Sequence, residues 1–368
     1  MRTLILTIVV AIFLIGKVSK AQIKNQNFLE ELRQEVQKAK IPGCAVVVIK
    51  NNEVVISESI GQADVAFSVP VDKQTIFSIN SLAKIFAGTA IMQLKEAGKI
   101  NLSDPVSRYL NDLPLSWQKI TVRQLLSHTS GLPDIEDVEN GGLIGGKGDE
   151  YAWDLVREKP IRSKPGEQFN YIATNYLLIQ KLIERFGQMD YVEFLKKNQF
   201  DKIGISDQMV FGSSYDVVKN KSTTYMYYIK DKRTKEYVKV DELNEISEDL
   251  SPIVWADTGA FATADAITKW ILALEKGEFI SEKSRSEMWT PVSLNNGQYG
   301  GFGEVLNGYA YGWPVIRRSN HPAIAPIGGG RASLIVYPED KLTIILLTNL
   351  TGSSPQKIIE KVAPHFWE

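Results

Sequence analysis

Ser81 and Lys84 stand three residues apart in the segment Ser81-Leu82-Ala83-Lys84. On a helix that spacing puts two side chains on one face with Cβ atoms about 5–6 Å apart, so an amine can reach a hydroxyl. A serine opening a helix lies at the positive end of the macrodipole, which favours negative charge developing on its oxygen. A lysine held in an apolar site has its pKa lowered by desolvation and can then accept a proton. The chemistry expected is nucleophilic attack by Ser81, with Lys84 as its activating partner.

The pattern alone is not specific. It recurs at Ser116/Lys119 and Ser354/Lys357. Both lie in polar, proline-flanked segments that suit capping serines with solvated lysines. What distinguishes Ser81 is the stretch behind it. Phe86-Ala87-Gly88-Thr89-Ala90-Ile91-Met92 is apolar or small nearly all round, so the helix over 81–98 must be buried. Leu82, Ile85, Phe86, Ala90, Leu94 and Ala97 recur at helical spacing, and Gly98 supplies a C-cap.

Other chemistries find little support. Gly141 and Gly146-Lys147-Gly148 nearly spell a phosphate-binding loop but lack its Ser or Thr and the buried strand before it, so a flexible loop is expected there. The three histidines (His128, His321, His365) are too widely spaced for a zinc motif. No Gly-x-Ser-x-Gly elbow occurs. Lys plus Arg (42) nearly balance Asp plus Glu (43), and no basic stripe suggests a nucleic-acid partner. No metal or cofactor is implied. Cys44, the lone cysteine, sits in an apolar run and reads as buried packing. His128 reads as a structural residue holding its loop.

The elements that must position Ser81 follow from periodicity. Residues 43–50 and 53–60 are Val/Ile-rich runs around Asn51-Asn52, a hairpin. Helices are expected over 121–127, 174–186 and 190–198, and another from Thr263 with Ile267, Trp270, Ile271 and Leu274 on its apolar face. The polar stretch 213–250 could form an inserted hairpin. Ala332 to Tyr337 and Leu342 to Thr348 are strands around the turn at 338–341, and 355–363 closes as a helix with Pro355 in its first turn. Strands at both ends with helices between predict an α+β fold. An antiparallel sheet built from both termini (22–75 and 251–368), with flanking helices, would carry an inserted, mainly helical domain (76–250). Residues 1–21 read as a signal peptide. Arg2 precedes an apolar run from Leu4 to Gly16 that is too short to span a membrane, and Ser19-Lys20-Ala21 predicts cleavage after Ala21. With no disulfide in the chain, this points to a periplasmic or secreted protein with no stable membrane span after cleavage.

Further along, the residues resemble a family. Ile120-Thr121-Val122-Arg123-Gln124-Leu125-Leu126-Ser127-His128-Thr129-Ser130-Gly131-Leu132-Pro133 is similar to the stretch that follows the active-site helix in class C β-lactamases and their relatives, which include D-Ala-D-Ala carboxypeptidases, D-aminopeptidases and β-lactamase-like esterases. Pro165 to Tyr171, Gly259 to Asp265, Tyr311-Gly312-Trp313 and Gly328-Gly329-Gly330 resemble later family segments in the same order, and the likeness runs from about residue 40 to the end. It implies a β-lactamase/transpeptidase-like fold of the penicillin-binding-protein type. It also implies acylation of Ser81, proton transfer by Lys84 and Tyr171, and an oxyanion hole from the backbone N–H groups of Ser81 and Gly329. Pro326, Ile327 and Gly328 would then border the substrate.

Two departures bear on the substrate. The second motif, usually Tyr-x-Asn, reads Tyr171-Ile172-Ala173. The third, usually opening with Lys or His, reads Pro326-Ile327-Gly328, unless a shifted alignment brings in His321. A group that contacts the substrate's acylamide and another near its carboxylate are therefore lost. The resemblance implies an exported serine hydrolase forming an acyl-enzyme on an ester or amide, esterase- or peptidase-like. Its substrate would be a small molecule or peptide, cell-wall fragments among them. A D-Ala-D-Ala carboxypeptidase or β-lactamase, or a non-catalytic binding protein on the same scaffold, are the alternatives.

Overall fold

The computed structural model describes residues 20–137, 141–231, 233–234 and 236–367. The expected leader lies outside them except for Lys20 and Ala21, where the first helix begins. Among the described residues no helix is long and apolar enough to cross a membrane.

A nine-stranded antiparallel sheet joins the two ends of the chain. Gly43–Lys50 is its pivot. It pairs on one side with Glu53–Asp64 and on the other with Leu342–Thr348, Val47 facing Ile345. Ala332–Tyr337 continues the sheet beyond Leu342–Thr348, and short strands at Ala323–Ile324, Pro314–Ile316 and Gly308–Tyr309 extend it. The hairpin at Asn51-Asn52 forms as expected, with both asparagines in the left-handed region that a tight turn of this kind requires.

Both faces of this sheet are covered, which is why its central strands read as unbroken apolar runs. Side chains alternate across a strand. Ala45, Val47, Ile49, Leu334, Val336, Ile345 and Leu347 face the larger core. Cys44, Val46, Val48, Ile335, Ile344 and Leu346 face a second one. Helix Lys20–Lys38 and helix Pro355–Val362 close the second core through Phe28, Leu32, Ile358 and Val362. Helix Lys20–Lys38 was not expected from the sequence. It is polar on average, and among its described side chains Phe28, Leu32 and Val36, four apart, form the buried stripe. Cys44 lies in this core, and burial pushes its thiol up to about 12.

The larger core is built on helix Lys84–Glu96, ten of whose residues are buried. Helix Ala173–Gly187 packs across it. At the crossing with the C-terminal segment, Gly88 leaves no room for a side chain: a Cβ there would lie 2.5 Å from the Tyr311 carbonyl oxygen. Helix Val122–Leu126 starts with a full capping box from Thr121 and Gln124. Residues expected as one helix over 190–198 divide into helix Tyr191–Leu195 and a wider π-type turn, Lys196–Phe200. The polar stretch 213–250 does hold a hairpin, Tyr225–Lys230 with Tyr237–Glu245.

Candidate active site

The α-helix expected to open at Ser81 opens at Lys84 instead. Asn80–Ala83 forms a tighter 3₁₀ turn, and neither start is capped by a side chain. The reason lies in the neighbours. The Ile79 amide donates to the Ala260 carbonyl at 2.9 Å, and Phe77–Ser78 pairs with strand Ala260–Ala262. From the other side strand Ile327–Gly328 presses on the turn. A Cβ on Gly328 would lie 1.8 Å from the Ile79 carbonyl oxygen and 2.8 Å from the Leu82 nitrogen, so only glycine admits this approach. Ser81 is thus held between two strands at a half-exposed position.

Lys84 is almost completely buried and has one carboxylate partner. Its Nζ lies 2.8 Å from Asp257 Oδ1 and 2.9 Å from the Asp257 carbonyl oxygen. The turn that presents Asp257 runs straight into Ala260–Ala262, so one segment holds both the Ser81 turn and the partner of Lys84. Nζ also lies 4.5 Å from the ring centroid of Tyr171 and 5.2 Å from that of Tyr176. Burial pulls the Lys84 pKa down, and the charge of Asp257 only partly opposes it.

Tyr171 closes the group. Its phenol lies beside the Ser81 hydroxyl. Burial, then the charge of Asp257, raises its pKa well above the ordinary tyrosine value, so it stays a protonated phenol. His128 fixes its position. Ser130 donates to Asn175 Oδ1, so the Asn175 amide nitrogen must donate to His128 Nδ1 at 3.0 Å, alongside the Ile172 amide at 3.3 Å. Nδ1 is therefore an acceptor and Nε2 carries the proton. The ring stacks on Tyr176, its centroid 4.3 Å from that of Tyr171. Burial and the Lys84 charge hold its pKa well below the usual histidine value, so it is neutral. His128 is a support for the Tyr171 loop.

The remaining expected positions are also nearby. Gly329, at φ 55°, follows Gly328 directly, and a Cβ on it would lie 2.8 Å from Asn80 Nδ2. Of the altered third motif, Pro326 and Gly328 are buried and only Ile327 is partly exposed. His321 is elsewhere, paired with Asp340 at 2.9 Å and stacked on Trp367. Ala173 has only a buried methyl and no amide side chain to offer a substrate; its backbone amide donates to Asp134 Oδ1 at 3.0 Å.

Sequence reasoning missed the acidic groups here. Asp257 is the largest omission, detectable only as a lone carboxylate in an apolar run. Asp134 and Glu136 follow Pro133 in a segment with no periodic pattern to mark them. Burial, then Asp257 and Asp134, push the Glu136 carboxyl up to about 8. This has a consequence for stability. An unfolded glutamate titrates near about 4.3, so the folded protein holds this proton between roughly pH 4 and 8. The stability tied to it is fully present below pH 4 and lost as pH rises through 8. Glu136→Gln is expected to stabilise the fold by about 1–2 kcal/mol at pH 9, after allowance for partial exposure, and to leave it unchanged at pH 4. Urea melts at the two pH values check this; an equal effect at both would refute it.

Comparison with known proteins bears on the family and the fold. Residues 28–363 match the family model Beta-lactamase. The chain is 27% identical to penicillin-binding protein 4* of Bacillus subtilis (strain 168) over 340 residues, covering 87% of this chain and 71% of that one. It is 22% identical to protein flp of Staphylococcus aureus (strain N315), covering 89% of this chain but only 64% of that longer protein. The solved D-amino acid amidase of Ochrobactrum anthropi SV3, in complex with D-phenylalanine, shares the fold with a TM-score of 0.78 at 20% identity, covering 93% of this chain and 98% of that one. The chain belongs to the Beta-lactamase family and is a serine hydrolase of the β-lactamase-related type.

Proposed function

We propose that this protein hydrolyses an ester or amide through an acyl-enzyme on Ser81. The observation that carries the proposal is the buried Lys84–Asp257 pair on the turn that presents Ser81, with the Tyr171 ring 4.5 Å from Lys84 Nζ. Ser81 Oγ attacks the carbonyl carbon, and its proton passes to Lys84 once that amine has given up its own proton. The oxyanion is received by the amides of Ser81 and Gly329. As the carbonyl re-forms, the bond to the leaving group breaks. That group departs with the phenol proton of Tyr171, which Lys84 restores. Water then attacks the acyl carbon, loses its proton along the same route, and the Ser81 oxygen leaves as the hydroxyl.

The substrate is read from what the cleft lacks and what it holds. Pro326 and Ile327 place no cation where the family usually anchors a carboxylate, whereas Glu136 and Asp134 lie near the Lys84 centre. A substrate without a carboxylate beside the scissile bond suits this environment, which favours an esterase or amidase over an efficient β-lactamase. Export is part of the same proposal and rests on residues 1–21.

The experiment is to weigh the intact protein after incubation with a fluorophosphonate and, separately, with a penicillin. One fluorophosphonate adduct on the wild type and none on Ser81→Ala is the expected result. The absence of any adduct from either reagent would end the hydrolase reading. A stable penicilloyl adduct would move the assignment to a penicillin-binding peptidase.

A further inference from the structure

The two turns that flank the reacting carbonyl share one carboxylate, and neither turn supplies it. Asn80 immediately precedes Ser81 and sits at φ 42°, in the left-handed region that non-glycine residues rarely occupy. Its amide is fixed at both ends. Oδ1 accepts from Ser78 Oγ at 2.7 Å, and Nδ2 donates to Glu248 Oε1 at 3.3 Å. The other oxygen of Glu248 pairs with Arg331. Arg331 is completely buried, two residues beyond Gly329, and donates to Thr351 Oγ1 at 2.8 Å. Gly329 is wedged between these side chains. A Cβ on it would lie 2.8 Å from Asn80 Nδ2 and 3.0 Å from Arg331 Nε. Glu248 itself comes from the polar insertion 213–250, where its carbonyl oxygen accepts from the Ser214 amide at 2.9 Å.

We propose that Glu248 is a positioning residue that clamps the oxyanion hole. One carboxylate ties the residue before Ser81 to the arginine after Gly329 and sets the spacing of the two backbone donors. This rests on the reading of Ser81 and Gly329 given above. A carboxylate that merely neutralised Arg331 would need one oxygen on the guanidinium. The second, on a side chain whose backbone is strained beside the nucleophile, connects the insertion to catalysis. Strain next to a reacting serine persists only where neighbours over-determine it, and the Ser78–Asn80–Glu248–Arg331 chain does so here.

Two variants test the clamp. Glu248→Gln keeps the shape but loses the charge that holds both partners. Asn80→Gly keeps the left-handed backbone but cuts the link. For each, kcat for an aryl ester is expected to fall about 10–100-fold with KM within about twofold, and affinity for a boronic acid that mimics the tetrahedral state should fall by a similar factor. Amide exchange in residues 78–84 and 327–332 should quicken. Arg331→Lys should retain more activity than Arg331→Met. Unchanged kcat and unchanged exchange in both variants would overturn the clamp. So would a rise in KM with full boronate affinity, which would make Glu248 a substrate contact. If the wild type takes no fluorophosphonate, the hydrolase reading fails by itself, and the exchange rates then decide the clamp. If Glu248→Gln fails to fold, Asn80→Gly decides it, because that variant leaves the Glu248–Arg331 pair intact.

Discussion

Replacing Asp257 with alanine is expected to cost about 3–5 kcal/mol of folding stability at pH 7, because it strands the Lys84 ammonium in a dry site. Both side chains are nearly inaccessible, Lys84 at 1% and Asp257 at 6% exposure. The Asp257 backbone carbonyl and two ring faces would remain in contact with the charge, with Glu136 and Asp134 acting from farther off. The pH dependence follows from the direction of the lysine shift. Asp257 raises the Lys84 pKa against a larger lowering by burial. Removing Asp257 lowers it further, so the folded variant releases its proton at a lower pH than the unfolded chain, which titrates near about 10.4. The unfolded state then binds more protons, and stability rises with pH toward that value. The penalty should therefore be large at pH 7 and much smaller at pH 10, as read by urea melts. Lys84→Met combined with Asp257→Ala should recover most of the stability and no activity, since an unpaired charge is what costs. Hydrolysis by Asp257→Ala should fall about 100-fold through loss of the held amine geometry, with the acidic limb of its pH–rate profile moved to lower pH. Full stability in the single variant would show that the pair is not buried as described.

The contrast between Lys84 and Asp257 explains how much of this site was legible. Ser81 and Lys84 could be found because a helical repeat makes neighbours of residues three apart, and the apolar run from Phe86 to Met92 marks that helix as buried. Asp257 lies 173 residues away and meets Lys84 only through the fold. Nothing periodic links them. Glu248 and Arg331 were invisible for the same reason, one in a polar insertion and the other behind three glycines. The large sheet was legible from its long apolar strands. The strands that hold the site were not. Phe77–Ser78 and Ile327–Gly328 have two residues each and Ala260–Ala262 has three, too few for any alternation to show. These short strands make the close approach at Gly328 that turns the expected helix start into a 3₁₀ turn. Family resemblance supplied Tyr171 and Gly329, whose residue types alone would have read as a core aromatic and a turn.

Tyr171→Phe is expected to lower kcat/KM for an amide about 10²–10⁴-fold, the usual range for losing a positioned proton donor. The fold should survive. A phenylalanine ring keeps the face that lies 4.5 Å from Lys84 Nζ and the contact with His128, so stability should change by less than about 1 kcal/mol. The loss should depend on the leaving group. An amine cannot depart without a proton, and Tyr171 is the protonated phenol beside Ser81. A nitrophenolate can depart unaided, so acylation by a nitrophenyl ester should be nearly preserved. Deacylation still needs a proton removed from water and returned to Ser81. The variant should therefore show a burst of nitrophenol equal to the enzyme present, then a slow steady state, and the acyl-enzyme should be visible in the intact mass. The pH profile separates the two candidate bases. Burial lowers the Lys84 pKa and raises that of Tyr171. A rate that rises with pH below the ordinary tyrosine range, and still does so in Glu136→Gln, therefore reports Lys84 losing its proton, and the same limb should persist in Tyr171→Phe. Disappearance of the limb, or an equal loss on amide and nitrophenyl ester acylation, would instead make the phenol oxygen the base that takes the Ser81 proton and leave Lys84 to hold it in place.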